Sequence, residues 1–329
     1  MILSETNMNL TEASSLFLSY CKQTKKLSGH TLRAYSRDLE CFKNFSEHNI
    51  DIENCDRTHL RNYLHHLFET CELKESSAKR RFACLNAMFS WLESEELITE
   101  TPFRKLQLSI RLPARLPRGL NKREIRRLLN SPTQLLGYSH QDDLTKEDCT
   151  RISRNTWEFR QLITLISLNL LFATGIRVAE LVAIRHKDVD LQEKTIRIHG
   201  KGDRERLVFL PGKSLLKLLQ LYLGAKRNIV QSTEHLMITT RGTVATTQYI
   251  RLLVARAGEN AKLDRRITPH MLRHSAATQL LNNGTDIRFV QRLLGHQSIT
   301  TTQIYTQVGD ATLKQVINKK HPMEKIMTR

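Results

Sequence analysis

Eight residues, Leu112 to Gly119, carry two prolines and a glycine and no apolar period. Proline fixes φ and removes a backbone donor, so neither a helix nor a central strand runs through such a segment. A chain of 329 residues interrupted in this way folds as two units on either side of an extended strap. We place the first unit at 8–106, the strap at 107–121 and the second unit at 122–329. The strap is also basic. Arg111, Arg115, Arg118, Lys122, Arg123, Arg126 and Arg127 face one acid, Glu124. That charge suits a strap laid along a polyanion.

The first unit reads as helical. Thr11 to Lys22 makes one helix. A second follows Ser28, with Leu32, Tyr35, Leu39 and Phe42 at helical spacing. Asp56 or Thr58 caps a third, holding Leu60, Tyr63, Leu64, Leu67 and Phe68. Ser76 or Ser77 starts a fourth, with Phe82, Leu85, Met88, Phe89 and Leu92 on one face. Four amphipathic helices with short links make a small bundle. Its stripes of aromatic residues and Met are core. Lys79, Arg80 and Arg81, at the start of the fourth helix, are candidate DNA contacts, as are Arg115 and Arg118 in the strap.

The second unit opens with a helix over Lys122 to Leu129. The polar residues from 131 to 155 read as a surface insertion. Trp157 to Ala173 is a buried helix ended by Thr174-Gly175, and another helix starts near Ile176. The longest apolar stretch, near Leu162 to Ala173, is broken by Thr164, Ser167 and Asn169 and is shorter than a membrane span. Thr195 to His199 and Arg206 to Leu210 alternate as strands around Gly200-Lys201-Gly202-Asp203, which makes a β-hairpin with Lys201 at its tip. Thr268-Pro269 is a helix start, with a capping hydroxyl and then proline in the first turn. Gly284 ends that helix. Asp286 caps the next, over Ile287 to Leu294, and Ser298 caps a last short one.

The chemistry gathers in this unit. Arg177 lies at the turn between two buried helices, with Glu180 three residues on to orient it. His270 and Arg273 share a helix face. His296 lies just past a helix, and Tyr305 follows in the last segment. Two arginines, two histidines, a lysine and a late tyrosine can hold a phosphodiester and attack it with a phenol. Each residue alone has an ordinary structural use; their joint order is the signal. The net charge of +18 and a pI near 9.9 fit a nucleic-acid partner. The N-terminus lacks the basic and apolar regions of a signal peptide. The six cysteines form no CxxC pair and read as cytosolic free thiols.

LFATGIRVAEL resembles the first arginine box of the tyrosine recombinases, the phage-integrase family. TPHMLRHSAATQLLNNG resembles the family's His-x-x-Arg box, and LLGHQSITTTQIYT resembles its terminal box. HGKGDRERLVFLP resembles the hairpin that carries its lysine. The boxes look most similar to the bacterial Xer-type branch. The resemblance covers nearly the whole chain. It implies a mainly α fold with a small β-hairpin or sheet: an N-terminal SAM-like, helical core-binding domain and a C-terminal catalytic domain, together a C-shaped clamp on duplex DNA.

The resemblance further implies that Tyr305 attacks the scissile phosphate, forming a 3′-phosphotyrosyl link and freeing a 5′-hydroxyl. Arg177 and Arg273 hold the non-bridging oxygens and His270 takes or relays the tyrosine proton. His296 positions a phosphate oxygen, Lys201 protonates the leaving oxygen, and Glu180 buttresses Arg177. No metal and no cofactor enter that scheme. The partners are double-stranded DNA and further protomers, as a homotetramer, or a heterotetramer with a second recombinase, on two duplexes. The segment Val308 to Lys320 is expected to dock on a neighbouring protomer. No membrane association is expected, and the location is cytoplasmic. The activity is integration or excision of a mobile element, or Xer-type dimer resolution. The 131–155 stretch and the basic excess tip the balance to the mobile element. The alternatives are a type IB topoisomerase-like relaxing enzyme and a non-catalytic DNA-binding regulator on the same scaffold.

Overall fold

The computed structural model describes residues 8–46, 50–104, 106, 110, 119–200, 205–230 and 233–294. The chain divides into two compact units, Met1–Arg115 and Leu116–Arg329.

The first unit is built on α1 (Leu10–Gln23), α2 (Gly29–Phe45), α3 (Arg57–Glu69) and α4 (Glu75–Ser94). Local chemistry starts three of them. Asn9 and Glu12 form a reciprocal capping box at α1, with Glu12 N–H donating to Asn9 Oδ1 at 2.9 Å. Ser28 caps α2, and Asp56 accepts from His59 N–H at 2.7 Å to cap α3. The fourth helix begins at Glu75, one residue before the expected serines, with Lys74 at the cap position and no side-chain capping bond. The apolar stripes converge on one core that includes Phe17, Phe42, Tyr63, Phe82, Met88 and Phe89. Phe42 and Tyr63 meet edge to face at 4.8 Å between ring centres.

The second unit surrounds α7 (Thr156–Thr174). Around it stand α5 (Lys122–Leu135), α6 (Lys146–Arg154), α8 (Val178–Ala183), α9 (Lys213–Arg227), α10 (Thr247–Asn260), α11 (Pro269–Asn282) and α12 (Ile287–Leu294). Residues 161–174 of α7 are buried on every side, as for a helix at the centre of a large core. Its polar residues turn inward on the helix itself. Ser167 Oγ donates to Ile163 O at 2.7 Å and Asn169 Nδ2 to Leu165 O at 2.8 Å. Three antiparallel strands, β1 (Val189–Asp190), β2 (Thr195–His199) and β3 (Glu205–Phe209), pair in the order β1-β2-β3 with Ile196 opposite Val208. The expected hairpin is present and gains the short strand β1.

The stretch from 131 to 155 is not a surface insertion. The first helix runs on past Leu129 to Leu135, through Pro132. Proline leaves the carbonyl four residues back without its N–H partner. Here Ser131 Oγ donates to that carbonyl, Leu128 O, at 3.2 Å. Beyond Gly137, α6 packs against α7 and α9. Leu136, Leu144 and Ile152 join the main core, and the buried Gln141 donates to Ser214 Oγ at 2.5 Å. Single apolar residues set in a polar run carry this burial, which is why no period announces it. A stretch packed into the core in this way gives no support to integration or excision of a mobile element.

Among the described residues, no helix is long and apolar enough to cross a membrane.

Candidate active site

The site begins where α7 ends. Gly175 takes φ +62°, the left-handed turn that stops the helix. A methyl group at this position would stand 2.7 Å from Leu294 Cδ2, so that side chain would have to shift, and the positive φ strains any L side chain. The chain then passes through Ile176 to Arg177, which is the N-cap of α8; the helix starts at Val178, close to the expected Ile176.

Arg177 and Glu180 are bonded twice. The carboxylate accepts from the Arg177 backbone N–H at 2.7 Å and from its Nη1 at 2.9 Å. The Arg177 side chain stays 50% exposed, whereas Glu180 is 7% exposed. The guanidinium is therefore gripped from inside and open on the outside.

Arg273 comes from the other direction. Thr268 caps α11 and Pro269 opens it, which sets His270 in the first turn and Arg273 one turn later. Arg273 is buried, and its guanidinium reaches two carbonyls. Nη1 donates to Gly175 O at 2.5 Å and Nη2 to Leu294 O at 2.6 Å. It thus ties the turn before Arg177 to the last residue of α12. That corner has its own apolar cluster of Phe209, Leu280, Val290, Leu293 and Leu294. Burial pushes the Arg273 pKa down to about 10, and the nearby Arg177 and Arg206 cations push the same way. It remains a cation at neutral pH. His270 is exposed on the same helix.

Arg206 is a member of this cluster that sequence reasoning missed. It lies on β3 beside Val208 on the inner face, while Leu207 between them is exposed. Its Nη1 and Nη2 donate to Glu180 Oε1 and Oε2 at 3.0 and 2.9 Å, a forked pair. An arginine on the apolar face of an alternating strand was the available signal, since such a charge needs a buried anion. Burial pushes the Glu180 carboxyl up. Bonds from Arg206 and from the Arg177 backbone and guanidinium outweigh burial and hold it below the usual carboxylate range.

Three guanidiniums around one carboxylate leave a net charge of about +2, on the arithmetic of three cations and one anion. A phosphodiester attacked by a phenolate passes through a dianionic phosphorane, and a preorganised site of this charge complements it. Among the described residues, no group of three His, Cys, Asp or Glu side chains comes together to hold a metal ion.

Lys201, His296 and Tyr305 lie outside the described residues, as do Arg115 and Arg118 and the segment Val308 to Lys320. Of the basic trio on α4, Lys79 and Arg80 are exposed and Arg81 is half-buried. Arg80 pairs with the buried Asp38, and Arg81 Nε stands 3.9 Å from the same carboxylate.

Residues 142–312 match the phage integrase family profile, and residues 15–96 match that of the phage integrase N-terminal SAM-like domain. A tyrosine recombinase of Agathobacter rectalis is 32% identical over 317 residues, covering 95% of this chain and 97% of that protein. Tyrosine recombinase XerD of Halalkalibacterium halodurans is 31% identical over 326 residues, covering 97% of this chain and 99% of that protein. The crystal structure of the XerH site-specific recombinase bound to its difH substrate, in a pre-cleavage complex, is 25% identical. It superposes with a TM-score of 0.63 over 92% of this chain and 82% of that one. The chain belongs to the phage integrase family and is a tyrosine recombinase, an enzyme that cleaves and rejoins DNA.

Proposed function

We propose that this chain performs Xer-type site-specific recombination, cutting one DNA strand at a time through Tyr305. The phenol oxygen bonds to the scissile phosphorus, and the bond from phosphorus to the 5′-oxygen breaks. The tyrosine proton passes to His270, and Lys201 returns a proton to the departing 5′-oxygen. Arg177 and Arg273 hold the non-bridging oxygens, and His296 orients one of them. Rejoining runs the same steps backward on a new 5′-hydroxyl, so the ester's energy is conserved in the protein link.

The observation that carries this reading is the Arg177–Arg273 pair, fixed at the Gly175 turn with one guanidinium buried and the other half-exposed. A buried arginine whose two amino groups already serve carbonyls is held rigid, which is what transition-state recognition requires. The active assembly is four protomers, of one or two kinds, on two duplexes in the cytoplasm. Lys79, Arg115 and Arg118 contact the phosphate backbone, and their contribution weakens as salt rises.

Plasmids carrying two copies of the bound DNA site test the reading. Recombined circles, in proportions set by the orientation of the two sites, are the expected product. Relaxed topoisomers of the input plasmid, with no recombinants, would indicate a relaxing enzyme instead. Binding with neither product would indicate a regulator.

A further inference from the structure

We propose that Arg206 is a positioning residue for strand cleavage, acting through Glu180 on Arg177; the proposal rests on the recombinase chemistry assigned to Arg177 above. The two arginines that grip Glu180 are not equivalent. The Arg206 side chain is 18% exposed, against 50% for Arg177. Arg206 spends both of its amino groups on the carboxylate, and its Nε lies 3.4 Å from Leu293 O, a long contact. Arg177 spends one guanidinium nitrogen and a backbone N–H on Glu180 and keeps the rest of its fork toward solvent.

Removing Arg206 takes away half of the bonds that keep Glu180 ionised in a buried place. Burial then favours the protonated acid. A neutral Glu180 holds Arg177 by a weaker bond, and the fork loses its aim. Arg206 also joins three segments. It sits on β3, directly after the turn that bears Lys201 in the sequence. It grips the first turn of α8, and it touches the end of α12, whose last carbonyl holds Arg273. One side chain therefore ties β3 to the start of α8 and the end of α12, the segments that meet Arg177 and Arg273.

The test is single-turnover formation of the protein–DNA adduct at saturating protein. The substrate is a nicked duplex chosen by tight binding from genomic fragments. The proteins are wild type, Arg206→Lys, Arg206→Met, Glu180→Gln and the Met/Gln double variant, each with its DNA affinity and melting temperature. Arg206→Met should form adduct roughly 100-fold more slowly, with DNA affinity changed by no more than about 3-fold. Arg206→Lys keeps the charge but not the fork and should recover about 10-fold. The double variant should be no slower than the slower single variant, because both act on the same link. Where Arg206→Met does not fold, a well-folded Arg206→Lys that is still about 10-fold slow supports the proposal. Folded variants that cleave at the wild-type rate overturn it, as do losses that multiply in the double variant. In those cases the wild-type adduct still stands. Wild type that binds the duplex but yields no adduct removes the recombinase assignment itself, and this proposal with it.

Discussion

Each unit of the molecule buries one carboxylate beneath a pair of arginines, and the two pairs behave in opposite ways. In the N-terminal unit Asp38 is 1% exposed, with Arg80 beside it and Arg81 Nε at 3.9 Å. Burial pushes its pKa up, and the arginines only partly offset that. In the catalytic unit Glu180 is 7% exposed and its pKa is held down. The difference is donor geometry. Glu180 receives a forked guanidinium, a second guanidinium and a backbone N–H. Asp38 receives one close donor. Around Asp38 the arginines serve the acid and pin α4 to α2. Around Glu180 the acid serves an arginine whose outer side stays exposed.

The largest effect expected from breaking the catalytic arrangement is at Arg273. Arg273→Ala removes a buried cation and leaves Gly175 O and Leu294 O without their donor. Adduct formation on nicked DNA should fall by at least about 1000-fold. A drop of less than about 10-fold would mean that this guanidinium does not meet the phosphate.

Glu180→Gln comes next, with adduct formation slowed by about 10- to 100-fold and stability reduced. The sign of its pH dependence follows from the depressed pKa. A carboxylate held below its unfolded value of about 4.3 stabilises fully above that pH and loses the contribution as pH falls through the folded value. The stability gap between wild type and Glu180→Gln should therefore narrow as melting is followed from pH 7 toward pH 3. A gap that widens would place the Glu180 shift in the other direction.

Gly175→Ala sharpens the geometry. Its β-carbon meets Leu294 at a φ that L-residues avoid, so a loss of about 1–3 kcal/mol is expected in denaturant unfolding. Cleavage should suffer as well, because the displaced segments are the two that Arg273 joins. A neutral result in both assays would show that the turn relaxes freely.

The smallest effect belongs to the other unit. Asp38→Asn should cost little stability at pH 7, because burial already disfavours the charge, and should leave adduct formation within about 2-fold of wild type. The raised Asp38 pKa means that ionisation is disfavoured in the folded state. Any advantage of the asparagine should appear as pH rises above about 4 and vanish below it, opposite to Glu180→Gln. Chemical denaturation of the two variants across pH 3–7 checks the opposition directly.

What the sequence made legible was local. The α7 helix announces itself by an apolar run too long for a strand, and Ser28, Asp56 and Thr268 mark helix starts because capping is a three-residue affair. The arginines of the site were readable from the boxes around them. What stayed hidden was pairing over distance. Arg206 meets an acid 26 residues away, and Arg80 meets one 42 residues away, so neither looks different from a solvated charge. The 131–155 stretch failed for the same reason. Gln141 is held by Ser214, 73 residues on, and Leu144 and Ile152 are lone apolar residues whose core comes from α7 and α9. A polar run is surface only when nothing downstream covers it.

In the proposed reaction the arginine cluster serves a covalent attack by Tyr305. The direct measurement is to trap the protein on nicked duplex DNA in the presence of a chelator, digest the SDS-resistant adduct and identify the modified residue by mass spectrometry. The expected result is a DNA 3′-phosphate on Tyr305, its loss in Tyr305→Phe and its persistence without divalent metal. An adduct that survives in Tyr305→Phe, or cutting that requires metal and leaves no protein on the DNA, would contradict it.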